Sequence, residues 1–231
     1  MWSRQEIKER GKSAFRANYW KCVLAALVLT LVAGGAASSS NGGSNQSADQ
    51  SAEQMMEGFQ NLSPEQILAI AGISVGAMVI AILIRIFLVN PLQVGCYNFF
   101  KQNVQNPGVA LSPIADGFKD YGRTFVTLFL RDLLIALFCI LLVVPGFIKA
   151  YEYRMVPYLI IDEPQLSATE TLARSKEMMR GHKWNAFVYD LSFIGWYLLE
   201  AITIGLVGIF WTNPYKNSAD AALYLKLKNA A

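Results

Sequence analysis

Charged side chains stranded in apolar surroundings are the residues of this sequence with the most chemical reach. Lys149, Glu152 and Arg154 interrupt an otherwise apolar stretch, Phe147 to Ile161. Lys149 and Glu152 are three apart, the spacing at which side chains on one helix face meet, so they read as an ion pair. Arg154 points to another side. Asp190 and Glu200 stand in the next apolar run, and Asp220 lies beside Lys216 in the last. An ionised group deep in hydrocarbon costs roughly 3 kcal/mol or more, so such groups turn into a bundle and pair. Two readings stay open: a polar clamp between helices, or a site for a polar or anionic ligand, such as a lipid headgroup, on Lys149, Glu152 and Arg154.

Catalytic and metal chemistry find little support. His182, followed by Lys183, has no second histidine with which to hold a metal, and reads as a headgroup contact. HExxH, GxSxG and P-loop patterns are absent, and no second motif turns the carboxylates into an acid–base pair. The expectation is a protein with no catalytic residue, no metal and no cofactor. Cys22, Cys96 and Cys139 are few, odd in number and far apart, which speaks for buried thiols and against a disulfide framework or a zinc site. A net charge of +3 gives a nucleic-acid partner no basis.

The elements that must position these groups read as membrane helices. Hydrophobic residues make up 54% of the chain and charged ones only 16%, against about 25% charged in an ordinary soluble domain. Val23 to Ala37 carries no charge and follows Tyr19, Trp20 and Lys21, an interfacial anchor. A signal peptide cleaved near Gly35-Ala36-Ala37 is the rival reading, with Glu6 and Glu9 unusual in its leading region. Residues 38–63 open as a Ser/Gly/Asn-rich polar stretch that reads as a flexible external loop. Neither Lys nor Arg occurs between Lys21 and Arg85, which places that loop outside. Ser63, Pro64 and Glu65 start a helix, and Ile67 to Ile84 is uncharged. Arg85 then snorkels at the inner interface. Residues 97–123 are placed inside, Phe125 to Val144 is a span, and Pro145-Gly146 is an outside turn. Phe147 to Ile161 returns, because otherwise Arg174, Lys176, Arg180 and Lys183 would lie outside. After it, 184–203 and 206–227 read as an outgoing and a returning span turned at Thr203-Ile204-Gly205-Leu206. A single span ending at Trp211 is the alternative.

Two basic amphipathic helices are expected at the cytoplasmic surface. Residues 1–18 place Ile7, Gly11, Ala14 and Phe15 on one face, behind a Ser3/Glu6 capping-box spacing. Residues 165–182 open on Ser167/Glu170 and close at Gly181, with Ala168, Leu172, Ser175 and Met179 along one face. The segment Arg16–Trp20 is similar to Arg180–Trp184, and Ile86–Pro91 to Ile209–Pro214. This suggests one unit used three times: interfacial helix, outgoing span, turn, and a returning span kinked at Pro91, Pro157 or Pro214. The prolines would free the carbonyls of Phe87, Tyr153 and Phe210, either as packing kinks or as the lining of a polar pocket.

Pro145-Gly146, Tyr151, Pro157-Tyr158, Asp162, Ser175, Met179, Gly181, Lys183, Leu191-Ser192-Phe193-Ile194-Gly195-Trp196 and Pro214-Tyr215 resemble the bacterial integral-membrane family catalogued as domain of unknown function 975. The N-terminal helix running into Tyr19-Trp20 fits the same pattern, whereas residues 38–63 depart from it. The resemblance implies a bacterial cell-membrane location and brings no activity, substrate or catalytic residue. More loosely, the layout is similar to the membrane domain attached to some glycerophosphodiester phosphodiesterases.

The expected protein is all-α: one polytopic domain over 1–231 with about six transmembrane helices in three hairpins. Each hairpin is preceded by a cytoplasmic interfacial helix, and both ends are cytoplasmic. The expected role is a non-enzymatic membrane module that binds lipid or a partner protein, with anionic headgroups at Arg174, Lys176, Arg180 and Lys183. A small transporter or channel is the alternative, and an intramembrane enzyme comes last.

Overall fold

The computed structural model describes residues 2–34, 63–84 and 88–230. Among the described residues every regular element is helical. The external loop, Arg85, the carbonyl of Phe87 and the small-residue site near Ala36 lie outside them.

Helix α1 (Arg4–Ala17) bends by 107° into α2 (Tyr19–Gly34). Helix α3 (Pro64–Ile84) starts where the sequence predicts. Ser63 and Gln66 satisfy each other's backbone amides, at 3.3 and 2.9 Å, and Pro64 takes a first-turn position that needs no N–H donor. Helix α4 (Asn90–Gln105) leads through a 3-10 helix, Ser112–Phe118, to α5 (Tyr121–Leu141). The remainder is broken into short pieces: α6 (Val143–Glu152), α7 (Val156–Asp162), α8 (Ala168–Met178), α9 (Lys183–Leu191), α10 (Ile194–Ile202) and α11 (Asn213–Lys228).

The two helices at the centre of the molecule mix an apolar core with buried polar side chains. Helices α4 and α11 are the most buried, pack on each other, and are flanked by α1, α2 and α7. Both open on Asn-Pro directly after a π turn, at residues 88–89 and at Gly208–Thr212. A widened turn fits a proline that has no amide to give the carbonyl four residues back. The prolines therefore sit in the first turn of buried helices, and Pro157 does the same in α7. Of the carbonyls they release, that of Phe210 accepts the Tyr19 hydroxyl at 3.1 Å. That of Tyr153 accepts the Val156 amide at 3.3 Å.

Two glycines set how closely this centre packs. A Cβ at Gly11 would lie 2.5 Å from the Ala219 backbone, so α1 seats directly on α11. A Cβ at Gly95 would overlap the Ile114 carbonyl, so α4 seats directly on the 3-10 helix.

Several expectations change. The turn after α5 falls at Leu142, and Pro145 and Gly146 belong to the first turn of α6. There the absent Gly146 side chain makes room for Cys139. The Phe147–Ile161 return is two helices broken at Tyr153–Met155, and residues 184–203 are two helices broken at Ser192-Phe193. The last stretch does reverse. Ile204 and Gly205 take left-handed φ values of 51° and 84°, and the Gly205 amide closes on the Glu200 carbonyl at 2.8 Å, a Schellman-type stop. The returning 206–227 segment is mostly α11, which is buried in protein. Cys22 and Cys96 are buried as expected, but Cys139 is exposed, beside Gly146 of α6.

The first amphipathic face is as read and the second in part, with Ala168 only half-buried and Met179 buried just past the helix end, but the partner of both is protein. Ile7, Gly11, Ala14 and Phe15 are the buried residues of α1, packed on α11. Helix α8 buries Thr171, Leu172, Ser175 and Met178 under a complete Ser167/Glu170 capping box. At Ser3 only half of the box forms, because the Glu6 carboxylate turns to Lys226, 2.6 Å away.

Apolar side chains are instead exposed on the thinner elements. Helix α3 is exposed at every position whose side chain is described. Helix α5 exposes Val126, Phe129, Leu133, Leu137 and Ile140 along one stripe. Helices α9 and α10 continue one stripe across their break: Trp184, Phe187, Leu191, Ile194, Leu198 and Ile202. Among the described residues, one helix, Tyr121–Leu141, is long and apolar enough to cross a membrane, with a mean hydropathy of 2.2. Only 17% of that window is buried, unlike the core helix of a soluble protein. The bent pair α1–α2 passes the same test only if taken as one segment.

Candidate functional site

The three charges singled out in the sequence do not form one site. The break between α6 and α7 splits them. Glu152 ends α6, and Arg154 falls in the following turn, on the side facing α9 and α11. Lys149 and Glu152 pair at 2.7 Å, as their spacing demands. The second Glu152 oxygen accepts from Lys183 at 2.5 Å, so this carboxylate, only 7% exposed, is held between two ammonium groups. Lys149 also lies over the ring of Phe138, at 5.1 Å.

Arg154 belongs to a second cluster. Its guanidinium donates two bonds to Asp190, at 2.7 and 3.0 Å, and one to Asp220 at 2.8 Å. Lys216 bridges the same carboxylates, at 2.9 Å from Asp190 and 2.7 Å from Asp220. The hydroxyls of Tyr151 and Tyr189 donate to Asp190 and Asp220, at 2.9 and 3.0 Å. Two cations thus meet two anions, and their remaining lone pairs are taken by tyrosines. This is how a buried ionic group becomes tolerable.

A third cluster went unread in the sequence. Asp162, at the end of α7, pairs with Lys101 of α4 and, at 2.8 Å, with Lys228 of α11, and accepts the Tyr224 hydroxyl at 2.7 Å. Burial raises the Asp162 pKa, but hydrogen bonds and charge from Lys101 and Lys228 outweigh it and hold the carboxyl below its ordinary value. Above this cluster Tyr158 stacks on Tyr224 at 4.8 Å and meets Tyr97 edge-on at 5.2 Å. The polar centre between the proline-started helices is therefore filled by aromatic rings and ion pairs. Asp162, Lys101 and Lys228 had no local signal, because they come from three separate helices.

Of the four basic residues expected at headgroups, Lys183 is committed to Glu152. Arg174 faces Glu177 at 3.1 Å and Glu163 at 3.8 Å. Lys176 and Arg180 are exposed and carry no ion pair among the described residues. Half-buried His182 lies against Trp2, ring centroids 6.4 Å apart, so it serves as packing. No three histidine, cysteine or carboxylate side chains converge as metal ligands among the described residues.

What decides the relationship of the chain is its second half, α5 onward, where two of these clusters are anchored. Residues 133–231 match the model of the family described as protein of unknown function (DUF975). No curated protein and no solved structure matches the chain. The DUF975 match contains every residue from Pro145 to Tyr215 that carries the resemblance in the sequence. It also contains Arg154, Asp190, Lys216 and Asp220. Helices α1–α4 precede it, so the fit of the Tyr19-Trp20 region rests on sequence pattern alone.

Proposed function

We propose that this chain is a multi-pass protein of the cell membrane, crossing as three out-and-back hairpins, six spans in all, with both termini cytoplasmic. On this reading it acts as a non-enzymatic module that binds a lipid or a partner protein through its polar bundle. The observation that carries the proposal is the pair of exposed apolar stripes on α5 and on α9–α10. Helix α5, with twenty-one residues, covers about 32 Å at helical rise, close to the roughly 30 Å hydrocarbon thickness of a bilayer, and each of α9 and α10 adds about 13 Å of stripe. Soluble monomers rarely leave apolar surface of that extent uncovered. Behind the stripes Glu152, Arg154, Asp190, Lys216 and Asp220 are paired, which favours a module over a transporter, since a conducting path needs polar groups with unfilled valences. Glu200, singled out with them in the sequence, instead keeps a buried carboxylate oxygen with no partner among the described residues.

A single cysteine introduced near Arg174, in a chain with Cys22, Cys96 and Cys139 replaced, tests the topology. Impermeant maleimide should label it only after intact cells are permeabilised; labelling from outside would overturn the arrangement. Purified protein in liposomes should show no solute flux. Flux that Arg154→Ala abolishes would overturn the module reading in favour of a transporter.

A further inference from the structure

The basic face of α1 is unpaired, unlike the basic side chains of the core. Lys101, Lys149, Arg154, Lys183, Lys216 and Lys228 all touch a carboxylate. Arg4, Lys8 and Lys12 recur at one-turn spacing and form no ion pair among the described residues. They line one wall of an open cleft of about 690 Å³, whose other walls come from Trp2, Ser192 and Tyr215. The cleft's one acid, Glu9, accepts a hydrogen bond from Gln5 at 2.9 Å.

Lys8 is the most constrained of the three. Its Nζ donates to the Ser192 carbonyl at 3.1 Å and lies 4.5 Å over the Phe193 ring. Lys216 lies 5.5 Å from the same ring. Burial lowers the Lys8 pKa, and the charges of Arg4 and Lys216 lower it further. Three positive charges, those of Arg4, Lys8 and Lys12, therefore stand at the cleft against the single carboxylate of Glu9. An anion seated there relieves the mutual repulsion. The cleft ends at the α9–α10 break, where Leu191 and Ile194 are 50% and 59% exposed on either side of Ser192-Phe193. A cationic hollow bordered by an apolar stripe suits a molecule with a charged head and a hydrocarbon body.

We propose that the cleft between α1 and the α9–α10 break binds the phosphate of an anionic phospholipid, with Arg4, Lys8 and Lys12 on the phosphate and the acyl chains along Leu191 and Ile194. The assignment rests on the membrane reading above and names its ligand. Its test uses the full chain in phosphatidylcholine nanodiscs, titrated by calorimetry with dihexanoyl phosphatidylglycerol in one arm and glycerol phosphate in another. Lys8→Gln and Lys12→Gln should each weaken lipid binding about tenfold, the loss of one charge-assisted contact. Lys119→Gln, elsewhere on the surface, should stay within about twofold, and affinity should fall with added salt. Lys12 holds no bond to other described residues, so its variant reports the site even where Lys8→Gln perturbs folding. Unchanged affinity in both variants, or loss only on Lys176→Gln/Arg180→Gln, would overturn the cleft and leave the membrane module standing. Equal affinity for glycerol phosphate would overturn a lipid in favour of a soluble phosphate ester. Failure of the membrane reading itself shows separately, as recovery of the wild-type chain in the soluble fraction.

Discussion

Helices α4 and α11 solve one problem with different chemistry. Each has sixteen residues, opens on Asn-Pro after a π turn and buries ten residues. Yet α4 answers burial mostly with amides, adding the one ion pair of Lys101 with Asp162, whereas α11 relies on ions. Asn98 donates to the Pro113 carbonyl and to Asp116, at 3.2 and 2.9 Å. Asn103 donates to the Ala14 carbonyl at 3.0 Å and accepts from Asn18 at 2.8 Å. In α11, Lys216 and Asp220 face Arg154 and Asp190 instead. The neighbours account for the difference. At Asn98 and Asn103 helix α4 meets the Pro113 and Ala14 carbonyls, which suit an amide side chain. At Lys216 and Asp220 helix α11 meets Arg154 and Asp190, side chains that arrive already charged.

The largest effect should come from the ionic side of this comparison. Arg154→Met leaves Lys216 alone against two carboxylates and should destabilise the protein by about 3–5 kcal/mol, read from thermal unfolding in detergent. A loss under 1 kcal/mol would show that water reaches the cluster. Next comes Asp162, which ties both helices to α7. Asp162→Asn should remove about 3 kcal/mol at pH 7. The folded-state pKa of Asp162 lies below that of the unfolded chain. Its contribution is therefore complete above the unfolded value of about 3.9 and disappears as pH falls through the lower folded value. The gap between wild type and variant should accordingly stay constant from pH 7 to 5 and close below about 4; a gap that closes near neutrality would contradict the assignment.

Close packing gives the next difference. Gly95→Ala overlaps a backbone carbonyl outright, whereas Gly11→Ala comes within 2.5 Å of the Ala219 backbone and so forces a smaller shift of α1 on α11. Losses of about 3 and 1–2 kcal/mol are expected in that order, and a reversed order would mean that α1 is the more rigidly seated. Smallest is Tyr19→Phe, which leaves the Phe210 carbonyl unmet and should remove about 1 kcal/mol. In a Pro214→Ala background the restored amide supplies the carbonyl, so the loss should vanish, as a double-mutant cycle would show.

The sequence carries the parts of this fold that are encoded locally. The Ser167/Glu170 box, the Gly181 stop at φ 76°, the Lys149–Glu152 pair and the reversal after Thr203 all depend on residues within a turn of each other. What it leaves open is what stands opposite a face. Periodicity identifies Ile7, Gly11, Ala14 and Phe15 as one apolar surface, but the same surface serves lipid or protein equally well. The contact with Ala219 is set by docking. For the same reason Glu152 could be matched to Lys149 but not to Lys183, and Asp162 to neither of its lysines. The displaced turn at Leu142 has a different origin: proline and glycine mark chain reversal, yet Pro145 is equally at home in the first turn of the helix that follows.

The seat of Gly11 on Ala219 also has a consequence in time. During synthesis α1 leaves the ribosome about two hundred residues before the helix that completes its apolar side. In that interval Ile7 and Phe15 need a temporary host, and a nearby bilayer surface is a suitable one. A segment patterned like a surface-bound peptide thus waits without its protein partner until α11 is made.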